Sequence, residues 1–230
     1  MGIQHSLKVG AVIVAAGSSE RMGGKDKVTA RLRGKPVLTR VVGTFQSSSL
    51  VNQIVIVLRE ANLAWGRKLA AKQGWSKVTD ICPGGRRRQD SVVAGLSRLK
   101  GCDWVVIHDG ARPLVTEDLI SRGLDAARET GAAAAAIPVS DTIKVAGEDM
   151  LVRETPPRPN LWAVQTPEVF RFDIITSAYR QVDDEVTDDA SLVEQLGYKV
   201  KLYMGAYDNI KITNPDDLAF AGVLLKKRGK

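Results

Sequence analysis

The chain has 230 residues, 44% of them hydrophobic and 26% charged, which suits one good-sized core in a single α/β domain, with two lobes as the alternative. No apolar run approaches the roughly 20 residues that a membrane span requires, and no secretory signal pattern is visible, so no membrane partner and a cytoplasmic location are expected. The net charge of +7 favours anionic partners, whether nucleic acid, a membrane surface or phosphorylated metabolites, and the positions of the charges must decide among them.

Five β-branched or small apolar runs read as strands: Val9–Ala15, Gln53–Leu58, Lys77–Cys82, Asp103–His108 and Ala133–Val139. Helices are expected between them at Pro36–Ser47, Ala61–Gln73, Asp90–Lys100 and Thr116–Glu129. This alternation, with near-continuous apolar character in several runs, predicts a doubly wound, mostly parallel Rossmann-like sheet that binds ligands at the carboxyl ends of its strands. After Val139 the rhythm breaks. TIKV and MLVRE flank the turn-like AGED, a proline-rich stretch follows, and LWAVQ closes the segment, which predicts a protruding β-arm at about residues 139–165 of a single domain spanning 1–230. So long a hairpin has little core of its own and is expected to pack against a second copy of the chain as a homodimer. A helix near Asp188–Leu196, a strand near Val200–Met204 and a last helix started by NPDD complete the chain.

The two cysteines, Cys82 and Cys102, fit neither a disulfide framework nor a metal-ligand spacing. The four tryptophans, Trp65, Trp75, Trp104 and Trp162, read as packing residues.

At the end of the first strand, Ala15, Ala16 and Gly17 let the backbone approach a ligand closely, and turn amides there can form an anion nest. Arg21 then offers a planar multidentate donor and Lys27 a mobile point charge, a combination suited to a triphosphate. The loop lacks both GxGxxG and GxxxxGK[ST], which disfavours a Rossmann dinucleotide site and a P-loop. On the loop alone, a solvated surface segment is the competing reading.

AAGSSERMGGKDK resembles the signature loop of nucleotidyltransferases that load a sugar or polyol phosphate onto a nucleotide. GGRRRQDSV beginning at Gly84, HDGARP at His108–Pro113, SDTIK at Ser140–Lys144, QTPEVF, TDDAS and DNIKIT at Asp208–Thr213 follow in order. Together they are similar to the 2-C-methyl-D-erythritol 4-phosphate cytidylyltransferases over nearly the whole chain. Gly110 where alanine is usual, Glu20 before Arg21, and Val28 and Thr29 after Lys27 depart from the family pattern without removing a charge.

The resemblance implies attack by a polyol phosphate on the α-phosphorus of CTP, with magnesium as the cofactor and pyrophosphate as the leaving group. A phosphate monoester carries about −1.5 to −2 charge at neutral pH and needs no general base, which agrees with a chain holding two histidines, His5 and His108. It implies Arg21 and Lys27 as transition-state stabilisers, with Arg158 and Lys211 positioning the polyol phosphate. The CTP contacts implied are Ala15, Ala16, Gly17, Arg21, Lys27, Gly84, Gly85, Arg86, Ser91 and Asp109. For the polyol phosphate they are Asp109, Thr142, Arg158, Thr166, Asp188 and Lys211. No direct metal ligand is assigned; Asp109 can reach magnesium through water. Because the arm is expected to cross to a partner, Arg158 is expected in the neighbour's site.

Simpler readings stand beside these. Of Arg86, Arg87 and Arg88, one is expected at the site and the others in solvent. His108 is expected to be structural, Arg112 to fix its loop by an ion pair, and Asp188 can serve as a helix N-terminal charge instead of a polyol contact. Ribitol 5-phosphate cytidylyltransferase and a non-catalytic nucleotide-sensing protein are the alternative functions. Nucleic acid ranks last, because the basic residues fall at strand ends and not along one helix face.

Overall fold

The computed structural model describes residues 7–19, 22–23, 26–182 and 186–229. Arg21, His5 and Glu20 lie outside the described residues. In chain order the elements begin with β1 (Val9–Ala15), the short pair β2 (Arg31–Leu32) and β3 (Lys35–Pro36), α1 (Val37–Ser47), β4 (Gln53–Leu58) and α2 (Leu63–Gln73). They continue with β5 (Val78–Pro83), α3 (Arg88–Leu96), β6 (Trp104–Asp109), α4 (Glu117–Thr130) and β7 (Ala132–Pro138). The hairpin β8 (Val145–Ala146) and β9 (Val152–Glu154), then β10 (Trp162–Arg171), α5 (Phe172–Gln181), α6 (Asp189–Gln195), β11 (Lys201–Met204) and α7 (Pro215–Lys227) complete the fold.

Seven strands form the main sheet in the order β11-β7-β10-β6-β1-β4-β5. β4 and β6 flank β1 in parallel, β5 extends β4 and β11 extends β7 in parallel, whereas β10 runs antiparallel between β6 and β7. The period of two in a strand assigns alternate residues to opposite layers. Ala11, Ile13 and Ala15 therefore join the core under α1 and α4, while Val12 faces the core under α3 and α5. A third cluster, built from Met22, Leu32, Val37 and Leu114 with Ile212, Ala221 and Leu225, seats α7 beside the first loop.

The alanine run Ala132–Ala136 is fully buried in β7. Alanine is a strong helix former, but here β10 and β11 pair with both edges of the strand and α4 packs on its face. α4 begins as a capped helix, Thr116 Oγ1 accepting from Leu119 N at 3.2 Å, and ends at Gly131 with φ 84°. α7 starts at the expected NPDD: Asn214 Oδ1 accepts from Asp217 N at 2.9 Å, and Asp217 Oδ2 accepts from Asn214 N at 3.0 Å. A reciprocal cap of this kind is worth about 1 kcal/mol.

Two expectations change. LWAVQ belongs chiefly to the central sheet, Trp162 to Gln165 pairing with Pro138 to Ala135 of β7, so the projecting arm is confined to residues 139–161. A register shift between Gln165 and Glu168 lets Pro167 sit inside β10. Trp75 is buried and Trp65 and Trp104 pack partly against the core, but Trp162 is 40% exposed where the arm leaves the sheet.

Candidate active site

A cleft of about 530 Å³ opens across the carboxyl ends of β1, β4, β5 and β6. Ala15, Ala16, Gly17 and Lys27 line one part, Gly84, Gly85, Arg86 and Ser91 another, and Asp109 and Lys211 the end nearest α7. Eight predicted backbone-approach or cationic positions thus meet in one depression with the predicted carboxylate.

The small residues at strand ends are required by close packing. A Cβ on Gly84 would lie 2.4 Å from Ala16 Cβ and 2.5 Å from Ser91 Oγ, and one on Gly85 would lie 2.2 Å from Asp90 Cβ. Ser91 is buried, and its hydroxyl accepts from Gly85 N at 3.2 Å and donates to Arg87 O at 3.3 Å. It braces the turn that leads into α3. In the first loop, Ser19 Oγ accepts from Lys27 N at 3.3 Å and Asp26 Oδ1 from Val28 N at 3.0 Å. The Lys27 ammonium folds back over Gly17, 3.3 Å from where a Cβ there would stand.

Asp109, the last residue of β6, is 7% exposed. Lys211 Nζ lies 2.8 Å from its Oδ2, Arg112 Nε 3.7 Å from the same oxygen, and Arg88 Nε 3.6 Å from Oδ1. Burial by itself would push the Asp109 carboxyl up, but Lys211, Arg88 and Arg112 together hold it well below the usual carboxylate range. Arg112 also donates to Asn209 O at 2.8 Å, tying this loop to the segment that carries Lys211. The expected loop-fixing role of Arg112 has this geometry.

His108 is fully buried, and burial lowers its pKa to about 4, so the ring is neutral at physiological pH. Its Nε2 donates to Arg112 O at 3.1 Å, and Nδ1, left as the acceptor, takes the Thr166 hydroxyl proton at 3.0 Å. Thr166 Oγ1 in turn accepts from Asp109 N at 3.0 Å. The Thr166 hydroxyl thereby links the His108 ring to the backbone of Asp109.

Four predicted polyol-site residues, Thr142, Arg158, Thr166 and Asp188, do not line the cleft. Thr142 and Arg158 lie exposed on the arm, where Arg158 Nη1 donates to Ser140 O at 3.0 Å. Asp188 caps α6, its Oδ1 accepting from Ser191 N at 3.0 Å, as its simpler reading anticipated.

All three consecutive arginines line the cleft, where one was expected: Arg86 and Arg87 do so from exposed positions, Arg87 while paired with Asp90 at 2.8 Å. Arg88 is the inward one: besides Asp109 it meets Asp189 at 2.8 Å and Glu168 at 3.8 Å. Glu168 and Asp189 are both fully buried, and the Tyr179 hydroxyl donates to Asp189. Burial, reinforced by the charge of Asp189, pushes the Glu168 carboxyl well above its ordinary range, against the opposing pull of Arg88. Sequence patterns left Arg88 as one of three candidate arginines and did not reveal Glu168 or Asp189; the only signal for these two was their place in QTPEVF and TDDAS.

The family model for 2-C-methyl-D-erythritol 4-phosphate cytidylyltransferase matches residues 9–227. A protein of that name from Dehalococcoides mccartyi is 54% identical over 96% of this chain and 97% of its own. Another from Alkaliphilus oremlandii is 42% identical over 98% of each. The crystal structure of 4-diphosphocytidyl-2C-methyl-D-erythritol synthase from Anaerococcus prevotii superposes with a TM-score of 0.84 at 30% identity, covering 96% of this chain and 99% of the other. With the strand-end cleft in place and the match extending across all of its walls, the chain belongs to the 2-C-methyl-D-erythritol 4-phosphate cytidylyltransferase family, whose members are nucleotidyltransferases.

Proposed function

We propose that this chain transfers the cytidylyl group of CTP to 2-C-methyl-D-erythritol 4-phosphate in isoprenoid precursor synthesis. The observation that carries the reading is the single cleft joining the glycine-rich ends of β1 and β5 to the Asp109–Lys211 pair. A phosphate oxygen of the acceptor attacks the α-phosphorus of CTP. A new P–O–P bridge forms, the bond between the α-phosphorus and the bridging oxygen to the β-phosphorus breaks, and pyrophosphate leaves with the electron pair.

Because the attacking phosphate is already ionised, the protein's work is alignment and charge neutralisation. Ala15, Ala16 and Gly17 offer backbone to the triphosphate, Lys27 and Arg21 stabilise charge gathering at the α-phosphoryl, and Gly84, Gly85, Arg86 and Ser91 shape the base site. Asp109 holds a sugar hydroxyl, and Lys211 draws in the acceptor phosphate. No group of three or more His, Cys, Asp or Glu side chains among the described residues could hold a cation, and Asp109 is ringed by three basic groups. This donor set fits magnesium carried on the nucleotide, with Asp109 reaching it through water. When bound, the ion neutralises phosphate charge.

The arm supports an assembly of two copies. Met150, Leu151 and Val152 are 81%, 63% and 57% exposed, and Arg158 and Thr142 have no part in their own chain's cleft. Packing of the arm on a second copy would cover the apolar residues and deliver Arg158 and Thr142 to the neighbour's acceptor phosphate. A cytoplasmic location accords with the substrates; no helix among the described residues is long and apolar enough to cross a membrane.

Phosphorus NMR of the reaction products tests the chemistry. A pair of coupled diphosphate resonances on the polyol supports cytidylyl transfer, and hydrolysis of CTP to CMP without that pair contradicts it.

A further inference from the structure

Arg88 touches both the cleft and a buried acidic pair behind it. It is the first residue of α3, and its guanidinium reaches three carboxyl groups from three elements: Asp109 at the end of β6, Glu168 in β10 and Asp189 at the start of α6. The distances are unequal. Asp189 is met at 2.8 Å, Asp109 at 3.6 Å and Glu168 at 3.8 Å.

Asp189 is fully buried and fixed from outside the pair by the Tyr179 hydroxyl of α5, while its backbone N–H donates to Glu168 Oε2 at 3.3 Å. Asp189 is therefore the anchor, and Arg88 is held by it at a set distance from Asp109. On its other side, Asp109 holds Lys211 at 2.8 Å. One carboxylate is thus shared between a cation that cannot leave, Arg88, and a cation that an acceptor phosphate must recruit, Lys211. Charge that Arg88 supplies to Asp109 weakens the grip of Asp109 on Lys211.

We propose that Arg88, anchored by Asp189, is a positioning residue for the acceptor side of the site: it fixes the Asp109 carboxylate and keeps Lys211 available to the incoming phosphate. This rests on the functional reading above. Without Arg88, the Asp109 charge is shared with one cation fewer, and the acceptor must compete with a stronger Asp109–Lys211 ion pair. Asp109 is the one member of this chain of contacts that is also assigned to the nucleotide; Ala15–Gly17, Gly84 and Gly85 take no part in its ion pairs.

The test is steady-state kinetics of Arg88→Met, Arg88→Lys and Asp189→Asn, each with a thermal melt. Turnover by the unmutated chain is measured first; its absence counts against the functional reading, whereas variant profiles like those of an active parent count against this inference. Arg88→Met is expected to raise the acceptor KM or lower kcat by about tenfold or more, with the CTP KM changed by less than about threefold. Arg88→Lys should recover part of the loss, and Asp189→Asn should show the same acceptor-side pattern in weaker form. Equal losses for both substrates, or no recovery with lysine, would overturn the proposal. If Arg88→Met does not fold, Asp189→Asn decides; loss of a cooperative melt in both variants would assign the cluster to stability alone and overturn the proposal too.

Discussion

Lys211 Nζ sits 2.8 Å from Asp109 Oδ2, so the cation assigned to the acceptor phosphate is held by a carboxylate that is itself 7% exposed. The pair keeps a charge poised at the mouth of the cleft without exposing it fully to water. Removing either partner has a different consequence. Lys211→Met is expected to cut kcat/KM for the acceptor by about 100-fold or more, since a charge-assisted contact to the reacting phosphate is lost. CTP affinity, measured by titration, should change little. A variant with normal acceptor dependence would remove Lys211 from the acceptor site.

Arg158 lies on the arm, outside its own chain's cleft, and Arg158→Ala should impair turnover far more than CTP affinity. If the arm completes the neighbour's site, mixing inactive Arg158→Ala with inactive Lys211→Met should restore activity. In a hybrid dimer one site regains both cations, so random reassortment gives about a quarter of the unmutated activity. No recovery after verified subunit exchange would place Arg158 in the service of its own chain.

Gly84→Ala and Gly85→Ala test the turn that receives the nucleotide. The added Cβ would stand 2.4 Å from Ala16 Cβ in the first case and 2.2 Å from Asp90 Cβ in the second. Backbone must shift, at a cost of about 1–3 kcal/mol. Isothermal titration should show CTP binding weakened by about tenfold or more, and binding at the parent's affinity would show that this turn does not contact the nucleotide.

His108 gives a pH signature. Burial lowers its pKa to about 4 from an ordinary 6.5, so below pH 6.5 the unfolded chain takes up a proton that the folded chain refuses. Stability from this group is fully present above pH 6.5 and is lost as pH falls toward 4, by about 3 kcal/mol in all. His108→Gln lacks that proton linkage. Its melting temperature should therefore trail the parent's at pH 7.5 and approach it as pH falls to 4.5, whereas a gap independent of pH would mean that His108 titrates normally.

Much of the site was legible because it lies at strand ends. Ala15–Gly17, Gly84, Gly85 and Asp109 follow apolar runs whose period marks them as strands, and such ends converge in a doubly wound sheet. The arm's apolar exposure was legible for the opposite reason, a hairpin with too few residues to bury anything. What stayed hidden depended on contacts between distant segments. β10 reads as a broken strand because Pro167 interrupts it, and only pairing with both β6 and β7 makes it central. Its placement brings Glu168 to Arg88, and the start of α6 brings Asp189 there. Three adjacent arginines look alike in sequence; the entry of α3 turns Arg88 inward while Arg87 pairs with Asp90 on the surface. Thr166 was legible as a site residue, but its hydroxyl serves Asp109 N and His108 Nδ1, partners that only the packed sheet supplies.

Pyrophosphate release from CTP in the presence of magnesium, compared between 2-C-methyl-D-erythritol 4-phosphate and ribitol 5-phosphate as acceptors, tests the central claim most directly. Release that depends on methylerythritol phosphate and is negligible with ribitol phosphate is the predicted result. Release with ribitol phosphate alone, or none with either acceptor, would contradict it.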